Sequence, residues 1–280
     1  MKLPDFEYRA PETLGAALEM LAALGTDAKI LAGGQSLLAT MRYGLARPTV
    51  LLDVKRVPSL RGTRTEAGGL AIGAMTTHAD LARAAQNTQV ASLLAAHAVQ
   101  IAFPAVRTRG TVGGSLVHAD PAGDWPLLFS ALDARVELRS LRGRRHADLN
   151  GFILGPLSTE IEIDELLTGV LVDSDNTNIT AWGRAKLMHR AGEFATTSAV
   201  ALRRASGKWS CWFAAPAVGP RSMPGCAALL DEGHPADAGL MALALEETAG
   251  HLPGETASGI HRHAANLVRA INHALEGRHD

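Results

Sequence analysis

Arg107-Thr108-Arg109-Gly110-Thr111-Val112-Gly113-Gly114-Ser115-Leu116-Val117-His118-Ala119-Asp120-Pro121-Ala122-Gly123-Asp124-Trp125-Pro126 sets two arginines, a cluster of three glycines with two hydroxyls, and two carboxylates within one irregular segment. Glycine lets a backbone take positive φ and lets a ligand reach bare N–H groups. Successive N–H groups in such turns form anion-binding nests. The helical pattern that resumes over residues 121–132 adds its positive dipole end from some residues away. A phosphate-bearing ligand fits these features, and so does a tight loop that needs glycine for geometry alone.

Upstream, Gly33-Gly34-Gln35-Ser36 follow a short apolar run, residues 28–32, that reads as a buried strand, and they lead into a helical stretch over 37–42. Strand, diglycine turn and helix make a second phosphate cradle. The Gly-Lys-Ser/Thr element of a P-loop is missing, and no Gly-x-Gly-x-x-Gly follows any strand. Two such turns in one region can hold a pyrophosphate from two sides.

The surrounding pattern alternates helices and strands. Pro11-Glu12-Thr13 open a helix with apolar Leu14, Ala17, Leu18, Leu21 and Leu24, stopped at Gly25. Residues 49–54 and 68–75 read as strands. Thr77 and Asp80 have capping-box spacing at the start of a helix. Residues 91–101 and 126–132 read as helical, 134–139 as a strand, and 141–145 as a solvated basic turn. That alternation predicts an α/β first part. The polar run Asp173-Ser174-Asp175-Asn176-Thr177-Asn178 marks a boundary, giving domains over 1–176 and 177–280. The second part reads as strands over 196–203 and 209–218 and helices over 226–230, 236–249 and 258–275, a smaller α+β unit.

Composition excludes several function classes. A net charge of −1, with 47% hydrophobic and 20% charged residues, is that of an ordinary globular protein and offers nucleic acid or an anionic membrane no basic surface. With 4% aromatic residues there is no stacking platform for single strands. Cys211 and Cys226 are the only cysteines, too few for a disulfide framework or an iron–sulfur cluster within the chain, and they fit a reducing compartment. The N-terminus carries no basic region followed by an apolar run, and no stretch is long enough to span a bilayer. The expectation is a cytoplasmic protein with no membrane insertion.

Metal and nucleophile readings fare poorly. The histidines are scattered, and His118 and Asp120 have no third ligand at a recognised spacing. Neither Ser36 nor Ser115 sits in a Gly-x-Ser-x-Gly elbow. Asp120 and Asp124 fit roles as caps or ligand-hydroxyl acceptors better than a catalytic pair, an Asp on a ribose hydroxyl being common in dinucleotide sites. Trp125 reads as core. Arg107 and Arg109 lean toward structural or interface roles.

Ala32-Gly33-Gly34-Gln35-Ser36 and Thr111-Val112-Gly113-Gly114 resemble the two pyrophosphate-binding motifs of the FAD-binding medium subunit of molybdenum hydroxylases, the group containing carbon monoxide dehydrogenase and xanthine dehydrogenase. Residues 72–78, 107–111, 119–126 and 190–195 resemble further signature stretches, so nearly the whole chain is covered in order. The resemblance implies a two-subdomain FAD-binding fold of the vanillyl-alcohol-oxidase type, α/β and α+β in class, followed by a small C-terminal α+β domain. It implies that Ala32, Gly33, Gly34, Gln35, Ser36 and Leu37 cradle the pyrophosphate from one side, with Thr111, Gly113, Gly114 and Ser115 on the other. By the same likeness Asp124 binds the adenosine end, Lys186 lies near the flavin ring, and Leu187 makes an apolar contact there. Ser115 stands where many relatives have Asn. The family's Tyr shortly before the lysine is absent, so either Trp182 replaces it or that contact is lost.

The function implied is electron transfer. Substrate is hydroxylated at a molybdenum cofactor on a large partner subunit, and electrons pass through 2Fe-2S clusters on a small partner to FAD here and on to an external acceptor. No side chain of this chain then acts as acid or base, because the cofactor carries the chemistry. A dimer of heterotrimers is the implied assembly. The alternatives are a stand-alone flavin oxidase or reductase of the same fold, and a non-redox protein that uses the two glycine loops for a phosphorylated metabolite.

Overall fold

In a computed structural model that describes residues 3–84, 86–233 and 238–278, the strands fall into three sheets and a short hairpin. The first layer holds β1 (Glu7–Arg9), α1 (Leu14–Leu24), β2 (Ala28–Leu31), α2 (Leu37–Arg42) and β3 (Val50–Asp53). Strands β1 and β2 both pair in parallel with β3, which lies between them. The Thr13 hydroxyl caps α1 by accepting from the Ala16 N–H, and Gly25, at φ 51°, ends it. Ala17, Leu18 and Leu21 face inward, as their spacing predicts, and pack with Leu52, Val54, Leu60 and Met75.

The second layer runs through β4 (Thr63–Glu66), β5 (Gly69–Gly73), α3 (His78–Ala82), α4 (Gln89–Ala98), α5 (Pro104–Arg107), α6 (Val112–His118), α7 (Asp124–Ala131), β6 (Arg135–Ser140), β7 (Gly143–Asp148), α8 (Leu149–Phe152), β8 (Ile153–Gly155), β9 (Ser158–Thr159) and β10 (Leu166–Val172). Its five-stranded sheet has the order β4-β5-β10-β6-β7 and is antiparallel throughout. Parallel α/β pairing is therefore confined to the three-stranded sheet. Strand β10, at the centre, is buried along nearly its whole length and so lacks the alternation that would mark it in the sequence.

After α9 (Ser174–Thr177) come β11 (Ile179–Leu187), β12 (Thr197–Arg204), β13 (Trp209–Ala215) and β14 (Gly219–Ser222), an antiparallel meander, then α10 (Pro224–Asp231), α11 (Ala238–His251) and α12 (Ala257–Glu276). The helical expectation over 236–249 begins at residues outside those described; the helix is seen from Ala238. Helix α12 lies directly on β11, where a Cβ at Gly183 would collide with the Ala270 carbonyl oxygen.

Helix α7 joins these layers. Trp125, Leu127, Leu128, Phe129 and Ala131 are all fully buried, because the helix is enclosed between the second layer and the meander. A helix apolar all round belongs in a core, and each such large side chain contributes about 1.5–3 kcal/mol by burial. The N-terminus of α7 presents Asp124 where β11 meets the second layer.

The basic stretch over 141–145 is mostly exposed as expected, but only 141–142 form the turn. Residues 143–148 form the edge strand β7, and the cations of the stretch are paired: Arg142 with Glu162 and Asp164, Arg144 with Glu137, Arg145 with Glu160 and Glu165. The neutralising carboxylates lie mostly over 160–165, too far along the chain for local charge patterning to reveal. Among the described residues no helix is long and apolar enough to cross a membrane.

Candidate functional site

The two glycine turns lie side by side. A Cβ at Gly33 would collide with the Arg109 carbonyl oxygen and sit 2.8 Å from the Gly110 Cα, so the first turn rests on the second through bare backbone. A Cβ at Gly114 would sit 3.4 Å from that of Ala32, and the Gln35 amide donates to the Ala105 carbonyl at 3.4 Å. Gly34 holds φ 73°, a conformation that costs other L residues strain, and this sends the chain from β2 into α2.

The turns differ in what they offer. Among the described residues the N–H groups of Gly33, Gly34, Gln35 and Ser36 donate to no protein acceptor, and Ser36 begins α2 without a side-chain cap. These donors are open to an anionic group. In the second turn they are already taken: Val112 N–H donates to the Thr76 carbonyl at 3.0 Å, Gly113 to Ala74 at 2.8 Å, Gly114 to the Thr111 hydroxyl at 3.2 Å and Ser115 to the Thr111 carbonyl at 3.0 Å. The expectation of unencumbered backbone in both turns is thus met only by the first. Gly113 is needed because a Cβ there would sit 2.6 Å from that of Ala74. The segment expected to be irregular is mostly helical, as α5, α6 and α7, and α6 begins at Val112 within the motif.

The second turn is braced by a buried hydrogen bond. The Trp125 indole donates to His78 Nδ1 at 2.9 Å, and the His78 N–H donates to the Gly110 carbonyl at 3.0 Å. Accepting from Trp125 fixes His78 as the neutral Nε2–H tautomer. Burial, with Arg107 nearby, lowers its pKa to about 4. The Thr77–Asp80 capping box expected from spacing is present and sets the helix that carries His78. Arg107 is structural, donating to the Ile101 and Ala102 carbonyls at 3.1 and 2.8 Å, while Arg109 is exposed. Asp120 caps its own turn by accepting from the Ala122 N–H at 2.8 Å.

Asp124 and Lys186, placed by resemblance at opposite ends of a dinucleotide, are paired. Lys186 Nζ lies 2.9 Å from each Asp124 carboxylate oxygen and also donates to the Gln100 carbonyl at 3.2 Å. Their side chains are 6% and 11% exposed, so this ion pair is nearly removed from water. The contact brings the two side chains to one place in the fold. Burial pushes the Asp124 carboxyl up, while the Lys186 and Arg184 charges pull it down.

Strand β11 explains the clustering. Its side chains alternate, so Trp182, Arg184 and Lys186 share the face toward the second layer, while Gly183 and Ala185 face α12. Trp182 is 1% exposed and donates to the Gln89 side chain at 3.0 Å. It is a core residue at this junction. Leu187 is 38% exposed at the strand's end, an apolar side chain open to contact. Sequence reading missed Arg184 and His97, both buried. The signal for Arg184 was the period of two through Trp182, Arg184 and Lys186, which becomes visible once 179–187 is read as a strand; His97, on α4, had none.

The cavities found, of about 310 and 140 Å³, are lined by no residue of 33–36 or 111–115.

Residues 4–172 match the family described as the FAD binding domain in molybdopterin dehydrogenase. The chain belongs to this family. It is 41% identical over 204 residues to the carbon monoxide dehydrogenase medium chain of Hydrogenophaga pseudoflava, covering 73% of this chain and 71% of that one. It is 38% identical over 213 residues to the nicotine 6-hydroxylase medium subunit of Paenarthrobacter nicotinovorans, covering 75% and 73%. Among solved structures, carbon monoxide dehydrogenase from Hydrogenophaga pseudoflava superposes with a TM-score of 0.89 at 34% identity, over 99% of both chains. Quinoline 2-oxidoreductase from Pseudomonas putida 86 gives 0.89 at 28% identity over the full length of each. As an FAD-binding medium subunit of the molybdenum hydroxylase type, the chain is an oxidoreductase subunit. The expected family, fold class and cofactor are borne out. The open first turn, with donors that a Cβ at Gly33 would displace, fits a pyrophosphate.

Proposed function

We propose that this chain is the electron-transfer subunit of a cytoplasmic molybdenum hydroxylase. It takes electrons from iron–sulfur clusters on a small partner, fed by a molybdenum cofactor on a large one, and passes them to an external acceptor. The observation that carries this reading is the contact between the two glycine turns, which leaves one row of free N–H donors on an FAD-binding fold. Bound FAD accepts electrons singly and releases them in pairs.

On this reading the N–H groups of Gly33, Gly34, Gln35 and Ser36 hold the pyrophosphate, with Ala32 and Leu37 flanking them. Thr111, Gly113, Gly114 and Ser115 wall the opposite side, chiefly by letting the two turns approach. The Asp124–Lys186 pair would offer the flavin ring an acceptor beside a donor, and Leu187 would give it an apolar contact. We take residues 1–176 as the FAD-binding domain and 177–280 as the C-terminal one, assembled with the partners as a dimer of heterotrimers. On this reading the molybdenum and iron–sulfur centres lie on the partner chains; among the described residues no group of three metal-ligating side chains gathers, and both cysteines are buried.

The test is affinity purification of the chain with its native partners. Co-purification of two further polypeptides carrying molybdenum and iron supports the proposal. A chain that turns over a substrate alone with bound flavin points to a self-sufficient oxidase instead.

A further inference from the structure

Beside the Asp124–Lys186 pair lies an imbalance of buried charge. Arg184 is 6% exposed, and its guanidinium makes no hydrogen bond or ion pair among the described residues; its Nε is buried with no partner. His97, 5% exposed, also keeps an unpartnered Nδ1. It feels both Arg184 and Lys186, and with burial they hold it neutral, far below the usual imidazole range. Asp124 is the carboxylate that acts on Arg184. The cluster thus holds two cations against one carboxylate at the junction of β11, α4 and α7.

Burying an uncompensated cation is costly, and burial alone pushes even the Arg184 guanidinium downward. An anion formed beside Arg184 would offset that cost. The pyrophosphate has its own donors at Gly33–Ser36, and it would be repelled by Asp124. Adenine offers a donor beside an acceptor but never bears a charge. The flavin ring has the same hydrogen-bonding edge, and on taking up two electrons and one proton it becomes an anion, with the charge spread over N1 and the C2 carbonyl.

We propose that Arg184, with Lys186, forms a preorganised cationic site for the negative charge of the reduced flavin, and that Arg184 thereby sets the flavin's potential. This rests on the reading of the chain as an FAD-binding subunit. Fixed charge in a low-dielectric site acts strongly because nothing need reorganise when the electrons arrive. The oxidised ring carries no charge for Arg184 to meet, so its effect falls on the reduced state alone.

The test uses the full chain loaded with FAD, as wild type and as Arg184→Gln and Arg184→Lys. The reduced flavin is titrated by its absorbance, which distinguishes the neutral from the anionic ring, and the midpoint potential is measured against reference dyes. The wild-type ring is expected to be anionic when reduced at neutral pH. Arg184→Gln is expected to make ionisation of the reduced ring about tenfold harder, a rise of about one pH unit, and to lower the two-electron potential at pH values where the wild-type ring is anionic by about 30 mV. Affinity for oxidised FAD stays within about threefold, and Arg184→Lys restores most of the shift. A neutral reduced ring in the wild type overturns the proposal without need of a variant. So does Arg184→Gln with FAD bound and both quantities unchanged. A wild type that binds no FAD would instead overturn the flavoprotein reading itself.

Discussion

Asp124→Asn and Lys186→Met both break the same ion pair, yet the surrounding charge predicts that they are not equally damaging. Removing one partner of a buried pair costs about 3–5 kcal/mol, because the other charge is left unmatched. Asp124→Asn leaves Lys186 and Arg184 as two buried cations with no carboxylate, so the full cost of about 3–5 kcal/mol is expected. Lys186→Met leaves Asp124 facing Arg184, whose charge already acts on it, and about 1–3 kcal/mol is expected. At about 2–4 °C per kcal/mol, the ligand-free chain should melt roughly 10 °C lower in the first variant and roughly 5 °C lower in the second. The double variant keeps one cation, and it should be more stable than Asp124→Asn alone. The assay is thermal and urea unfolding of the apo chain, followed by circular dichroism. Equal losses, a reversed order, or additivity within about 0.5 kcal/mol would refute the account of the cluster.

Gly33→Val drives a side chain into the Arg109 carbonyl and parts the two turns; a fall in FAD affinity of about tenfold or more is expected by equilibrium dialysis, and unchanged affinity would show that the turns need not touch. His78, neutral in the fold with a pKa of about 4, binds its proton only on unfolding near neutral pH. Its contribution is complete above about pH 6.5 and is lost as pH falls toward 4, by about 3 kcal/mol. His78→Asn should flatten that part of the stability–pH curve, measured by urea unfolding across the range. Burial pushes the Cys211 and Cys226 thiols far above their usual range, so neither should react with a thiol reagent until the chain is denatured.

Local signals were the legible ones. The α1 stripe, its stop at Gly25 and the Thr77–Asp80 capping box all depend on neighbours within a turn, and each stands where spacing places it. The two glycine turns were visible because close backbone approach admits few other residues. What the chain concealed depends on distant partners. Strand β10 is buried on both faces and shows no period, and the pairing of Arg145 with Glu165 joins residues twenty apart. Nothing near Val112 or Gly113 announces that their N–H groups are taken by Thr76 and Ala74. Asp124 and Lys186 read as separate contacts because they lie 62 positions apart, and only the alternation along β11 shows that Arg184 shares the face of Lys186.

The visible spectrum of the purified full chain, with identification of whatever is released on denaturation, tests the central claim most directly. A flavin spectrum with FAD released at about one per chain, or taken up to that ratio when added back, is the predicted result. A chain that stays colourless and fails to bind added FAD would contradict the account and return the two glycine turns to a purely structural role.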